Sequence, residues 1–281
     1  MAHRILYSRA TSATGRLLGN VLGIRGAATH PDGERSDTLI RWGSSARVAR
    51  RPRTVINRRQ SIEAATDKLG SLLLLQQEHV RIPTIYRRGE VPNDVGIYPL
   101  LGRQRTHRQG ADIVLCMQRL DLEHSGAEFY TKYIPTAREF RVHVFQGDIL
   151  KISEKRLTNR EEFQVPWIRN LENGYTFRNV ADIRDRIIQQ IEAAGKDAVE
   201  ALRLDFGAVD VLLGDDGNVY VLEVNTGPSL GDNSLVAYVT KFAELLEIPE
   251  DSLNWPEDVE APIPPVQHME DVDEDELDDL F

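Results

Sequence analysis

Three oxygen-bearing side chains late in the chain have the spacing of a cation site. Asp210 is the one acid in the apolar run FGAVDVLL, and Glu223 is the one acid in VYVLEV. The segment between them, GDDGN, is a turn cluster of the kind that closes a short β-hairpin. Paired across that turn, Asp210 and Glu223 fall opposite each other or within a residue of it. Asn225, two positions beyond Glu223, shares their face because strand side chains alternate. Two carboxylates facing each other in an apolar sheet repel and lose hydration. A hard divalent cation such as Mg2+ would remove both costs. The plain alternative is a surface hairpin whose acids meet water, and the apolar flanks VDVLL and VYVLEV argue against it.

A second polar group lies upstream. In EFRVHVF, Glu139, Arg141 and His143 alternate with Phe140, Val142 and Val144 and so share one face of a strand. Lys151, Lys155 and Arg156 continue the polar face in the next predicted strand. That set suits a polyphosphate and a sugar, although an ordinary solvent-facing sheet has the same pattern. Between Tyr98 and Gln118 an extended run leads to Arg103, then a polar loop, RTHRQGA, and then an apolar strand. Guanidinium forks, His107 and the backbone around Gly110 can close over phosphates. A mobile surface loop would read the same way.

The elements that must carry these residues follow from periodicity. Residues 1–56 read as a small α/β lobe, with strands at Ile5–Tyr7 and Thr38–Trp42 and a helix over Gly15–Leu22. Residues 57–77 read as one helix, with Ser61 as N-cap and Ile62, Ala65, Leu69, Leu72 and Leu73 at helical spacing. On it, Asp67-Lys68 has the pattern of an exposed pair. Residues 159–179 read as loop, residues 181–203 as an amphipathic helix feeding the hairpin, and residues 236–246 as a last helix. From Asp251 onward the chain is rich in proline and acid and is expected to be disordered. The expected organisation is therefore an N-terminal lobe (1–56), a main domain (57–249) and an acidic tail (250–281).

Composition narrows the function. The 281 residues carry a net charge of −10, but thirteen acids and no Lys or Arg lie from Glu250 onward, so residues 1–249 are at +3. Residues 1–60 hold twelve arginines against three acids. Such a patch can bind a polyanion, yet no aromatic-plus-basic RNA motif accompanies it, so a solvated or phosphate-facing lobe is favoured over nucleic acid. The single cysteine, Cys116, excludes an intrachain disulfide and a Cys-based zinc site, and a reducing cytoplasmic setting is expected. Cys116 sits in IVLCM and reads as a packed residue. No run reaches the roughly 18 apolar residues of a membrane span. No Ser/His/Asp or Cys/His arrangement suggests a side-chain nucleophile.

The ordered set of segments resembles the ATP-grasp ligases. It runs from INRRQSIEAATDKLGSLLLLQQ through the IP strand, the glycine loop, KYIP, EFRVHV, KR and WIRN to GAVDVLL and VYVLEVNTGPSL. Within that superfamily it is most similar to the RimK-type branch, the ribosomal-protein glutamate ligases. The resemblance covers about two thirds of the chain. It implies an α/β ATP-grasp fold, with nucleotide held between two antiparallel-sheet lobes. It implies an ATP-dependent carbon–nitrogen ligase, and alternatively an ATP-grasp kinase or a non-catalytic ATP-binding protein. Asp210, Glu223 and Asn225 would bind two Mg2+ ions, with Mn2+ as a substitute. Lys132 and Tyr133 would lie on the linker strand whose backbone grips adenine, and Glu139 where an acid meets the nucleotide. Arg169 and Asn170 would match a phosphate-side pair, with Arg169 catalytic, and Lys68 a nucleotide-binding lysine. Two departures stand out. Arg103 occupies the place of a lysine before the glycine loop, as a phosphate clamp with a part in catalysis, and that loop has only Gly110 where relatives carry more glycine. The implied substrates are a carboxylate and an amine acceptor: an amino acid, a peptide or a protein terminus.

Overall fold

The five strands that carry most of the polar groups above form one antiparallel sheet in the computed structural model. The structure describes residues 2–30, 36–106, 113–161, 163, 165, 167–257 and 259. In chain order the elements are β1 His3–Tyr7, α1 Ser12–Val21, β2 Arg25–Ala27, β3 Thr38–Trp42, β4 Thr54–Ile56, α2 Arg59–Thr66, α3 Lys68–Gln77, β5 Ile85–Arg87, β6 Leu100–Arg103, β7 Val114–Cys116, α4 Arg119–His124, β8 Phe129–Lys132, β9 Thr136–Phe145, β10 Asp148–Leu157, β11 Tyr175–Asn179, α5 Asp185–Ala201, β12 Phe206–Gly214, β13 Val219–Asn225 and α6 Asp232–Leu246.

Three sheets result. The N-terminal one is parallel, in the order β2-β1-β3-β4, with α1 against it. A small antiparallel sheet has the order β5-β8-β6-β7, and the large one the order β11-β10-β9-β12-β13. The alternation in EFRVHVF does what its pattern requires. Phe140, Val142 and Val144 are buried under α5 with Val209, Val211 and Val221, and the polar residues point to the other face. Gly195 of α5 permits that approach, since a Cβ there would come within 2.7 Å of Val142.

A cluster of aromatic rings joins the parallel sheet to the large one. Trp42 stacks on Phe206 at 5.2 Å, and Phe145 meets Phe242 edge-on at 5.1 Å, with Tyr238 between. Each such ring contributes about 1.5–3 kcal/mol on burial. Asn57, in the left-handed region at φ 61°, ends β4 and ties it to β12 by donating from Nδ2 to the Phe206 carbonyl at 3.0 Å. Gly43 N–H donates to Thr226 O at 3.0 Å, bringing the end of β3 to the residue after Asn225.

The structure departs from the sequence reading in four places. The helix expected over residues 57–77 is two helices broken at Asp67, whose backbone leaves the helical region (ψ 99°). The Asp67 carboxylate accepts from Gly70 N–H at 3.2 Å and from Arg105 Nε at 3.0 Å, so it caps α3. Ser61 is no cap; it lies inside α2 and donates to Arg203 O. The loop expected over 159–179 contains β11, an edge strand whose alternation runs over only five residues. The segment read as a disordered tail begins with apolar anchors: Leu253, Trp255 and Val259 pack against the core cluster that the N-terminal lobe shares with α6, and Asn254 N–H donates to Val21 O. Residues 258 and 260–281 lie outside the described residues. Among the described residues no helix is long and apolar enough to cross a membrane.

Candidate functional site

The register of the large sheet lines up the charges. Asp210 on β12 pairs with Glu223 on β13 and, on its other side, with Arg141 on β9. One row further along, Glu139 of β9 pairs with Lys155 of β10. A bulge at Leu222 of β13, between the Val221 and Glu223 pairings, lets the hairpin place two acids opposite each other while its apolar residues stay in the core.

Each acid is met by cations. Arg141 grips Asp210 with both arms of its fork, Nε to Oδ1 at 2.7 Å and Nη2 to Oδ2 at 2.9 Å. Lys155 Nζ donates to Asp210 Oδ2 at 3.0 Å and to Glu139. Lys68, the first residue of α3, pairs with Glu223 Oε2, and Asn225 Nδ2 lies 3.3 Å from Glu223 Oε1. Burial alone would push these carboxyls up. For Asp210 the Arg141 and Lys155 charges outweigh it and hold the group well below the usual carboxylate range. For Glu223 burial is outweighed by Lys68, against repulsion from Asp210, and the carboxyl falls to about 2. Glu139 goes the other way: burial prevails over Lys155 and raises it. Burial lowers Lys155, but Asp210 and Glu139 together lift it above an ordinary lysine.

Arg103 is buried at the end of β6, facing Glu223 and Glu139, and its Nε has no partner among the described residues. Burial lowers its pKa, yet guanidinium stays charged. A buried guanidinium with an unused donor points to a ligand acceptor beside it. The Phe177 ring of β11 lies 4.5 Å from the Arg141 guanidinium carbon and 5.8 Å from Lys155 Nζ. His143, next on the polar face, is held neutral, its pKa pushed down to about 3 by burial and by Arg141.

The fold that brings these acids and cations together is shared with known structures. D-alanine–D-alanine ligase from Bacillus anthracis superposes with a TM-score of 0.61 at 16% identity, covering 87% of this chain and 93% of that one. N5-carboxyaminoimidazole ribonucleotide synthetase from Thermotoga maritima superposes at 0.63 with 12% identity, covering 90% and 77%. The ATP-grasp ligase PsnB, solved with a minimal precursor, superposes at 0.58 with 13% identity, covering 82% and 92%. The fold is ATP-grasp. The sequence family described as D-ala D-ala ligase C-terminus matches residues 129–245, from β8 into α6. Comparison with curated proteins by sequence gives no match.

On this ATP-grasp framework the residues singled out from sequence do not all converge. Asp210, Glu223, Asn225, Lys68, Lys155, Glu139 and Arg103 come together. Arg169 and Asn170 lie at the margin. The Arg169 guanidinium donates to Thr136 O at 2.9 Å and is close enough to Glu139 to act on its charge, whereas Asn170 Oδ1 accepts from Asn173 N–H at 2.9 Å within its own turn. Lys132 ends β8 and Tyr133 follows it, but both amide N–H groups are already used, donating to Thr84 O at 2.8 Å and Pro99 O at 3.0 Å. Any backbone grip on a base there falls to other groups of the strand. His107 and Gly110 lie outside the described residues. Arg156 leaves the polar face. It alternates with Lys155 and joins Arg138 in holding Glu154 on the opposite side of the sheet.

The reason given for a metal also changes. The acids do not depend on a divalent cation to relieve repulsion, because Arg141, Lys155 and Lys68 already neutralise them. Among the described residues no three Asp, Glu, His or Cys side chains form a metal cluster. The oxygen set of Asp210, Glu223 and the Asn225 amide nevertheless fits a hard cation, since lone pairs on each remain unused. Two partners were missed by sequence reasoning. Arg141 was recognisable as polar-face, but its fork on Asp210 depends on the β9–β12 register. Phe177 had no signal beyond the short alternation in YTFRN.

Proposed function

We propose that the chain is an ATP-dependent carboxylate–amine ligase that forms an amide through an acyl phosphate. The observation that carries this reading is the convergence of Asp210, Glu223 and Asn225 with Lys68, Lys155 and Arg103 on one face of an ATP-grasp sheet. A carboxylate oxygen of the substrate attacks the γ-phosphorus of ATP, the bond to the β-phosphate oxygen breaks, and ADP leaves. The amine nitrogen then attacks the acyl carbon, phosphate departs with the carbon–oxygen bond pair, and the amine proton passes to solvent. Lys68, Lys155 and Arg103 contribute by holding phosphate oxygens as charge moves between them. Bound at Asp210, Glu223 and Asn225, Mg2+ or Mn2+ would neutralise charge on the phosphates.

The order of motifs supports placing the chain in the RimK-type branch, with residues 1–56 as a lobe preceding an ATP-grasp domain at 57–249. The substrates are a carboxylate and an amine acceptor, the acceptor an amino acid, a peptide or a protein terminus, and the buried Cys116 fits a cytoplasmic enzyme. Amine-dependent ADP release across a panel of amino acids and peptides, with hydroxylamine trapping of the acyl phosphate, tests the reaction. ADP release onto a hydroxyl acceptor, with no hydroxamate, would replace it with the kinase reading. ATP binding without turnover on any acceptor would leave a binding protein.

A further inference from the structure

We propose that the acidic segment 270–279 of this chain docks on its own N-terminal lobe, along a stripe formed by Arg47, Arg50, Arg51, Arg53 and Arg58. The inference goes beyond the ligase reading and stands or falls separately from it. The first ground is the stripe itself. No Asp or Glu lies between Asp37 and Glu63, whereas seven arginines do. Two of the seven have partners: buried Arg41 donates from Nη1 to Ser44 O at 2.9 Å and to Ala46 O at 2.8 Å, and Arg59 pairs with Glu63. The other five are exposed and make no ion pair or side-chain hydrogen bond among the described residues. They are carried on an anchored segment. Arg41 grips the start of the connection from β3 to β4, Pro52 is buried within it, and Arg53 N–H donates to Ser36 O at 3.4 Å. Five like charges held there repel one another, and a polyanion laid along them removes that cost.

The second ground is where the stripe runs. β4 is the edge strand of the parallel sheet, with no strand beyond it. The connection leaves β3 at Gly43, beside Thr226, and returns to Thr54, which pairs with Thr38 at the start of β3. Arg58 follows β4. The arginines therefore line that edge from the end where the parallel strands begin to the end that meets the candidate site.

The third ground is the reach of the occupant. The root of the tail is held at the first of those ends, where Asn254 donates from N–H to Val21 O and from Nδ2 to Asn20 O, at the close of α1. α1 leads into the start of β2, and from β2 to β4 is three strand spacings, about 15 Å. Residues 260–269 can span up to about 35 Å, enough to bring the next ten onto Arg53. Eight of those ten, residues 270–279, are acids. Tethering holds them at an effective concentration of about 1 mM, which favours them over a free polyanion of equal affinity.

The test follows the anisotropy of a fluorescein-labelled peptide with the sequence of residues 266–281, titrated with full-length protein at about 20 mM salt. Two proteins are compared: the wild type, and a variant with every acid of 270–279 changed to its amide, from Glu270→Gln and Asp271→Asn through Asp279→Asn. We expect the peptide to bind the amide variant at least about tenfold more tightly, because the wild-type stripe is already occupied. Adding Arg50→Gln, Arg51→Gln and Arg53→Gln to the amide variant should remove most of that binding, and so should about 300 mM salt. Equal affinity for wild type and amide variant overturns the inference and leaves the stripe to an acidic partner in trans. No binding to the amide variant overturns it too, as does binding that survives the arginine changes. If the arginine variant does not fold, Arg47→Gln with Arg58→Gln carries the same comparison. Sedimentation tells whose tail is bound: a mass unchanged by the amide substitutions supports docking within one chain, and a dimer that they dissociate overturns it in favour of a second copy. None of these outcomes bears on the ligase reading.

Discussion

Replacing Lys68 by Met tests whether the charged floor is coupled to folding. Lys68 is the largest influence lowering Glu223, whose carboxyl lies at about 2 against an ordinary 4.5. A displacement of that size is worth about 3 kcal/mol of folding free energy. The Glu223 side chain is 28% exposed, so solvent screening reduces the figure to about 2 kcal/mol. The sign follows from the direction. A carboxyl depressed by folding stabilises the native state above its unfolded value, and the contribution fades as pH falls from about 4.5 toward 2. Urea unfolding should therefore show Lys68→Met about 2 kcal/mol less stable than wild type at pH 7, with unchanged m-value. The gap should narrow steadily between about pH 4.5 and pH 3. Metal binding should move the opposite way. With Glu223 Oε2 released, Mn2+ affinity without nucleotide should rise by up to about tenfold. A stability gap equal at pH 7 and pH 3.5, or no gap at all, would refute the assignment of Lys68 as the counter-charge of Glu223.

Other perturbations address single links. Arg103→Ala should weaken ATP binding by about 1.5–3 kcal/mol in calorimetry, the scale of a charge-assisted contact; unchanged affinity would make its buried, unpaired Nε a structural matter only. Glu223→Gln keeps side-chain volume and removes the charge, so metal-dependent turnover should fall at least about a hundredfold with circular dichroism unaltered, and a fully active variant would sink the metal assignment. Gly227→Ala would put a Cβ 2.8 Å from Thr11 Cγ2 and 2.9 Å from Gly43 N, where β3 meets the loop after β13. It should lower stability by about 1–3 kcal/mol, read as a lowered Tm, and a Tm equal to wild type would show that this approach has slack.

How much was legible beforehand depends on the range over which each feature is specified. The hairpin that brings Asp210 and Glu223 within a residue of each other is local, determined by two apolar runs, a turn cluster and a period of two, and the division of β9 into a core face and a polar face is local too; the bulge at Leu222 that sets the acids directly opposite is not written in that period. The ATP-grasp architecture was legible because an ordered series of short segments survives even where each is weak. The break at Asp67 was hidden because the apolar spacing of Ile62, Leu69 and Leu72 continues across it. What breaks the helix is a carboxylate answering Arg105, a residue 38 positions away. The same holds for the electrostatics of the site. Sequence determined that two acids would meet, and the need for a counter-charge followed from that. Only the tertiary structure decided that the counter-charges are Arg141, Lys155 and Lys68, because which cations reach a buried carboxylate depends on the register of β9 and β10 against β12 and on where α3 begins.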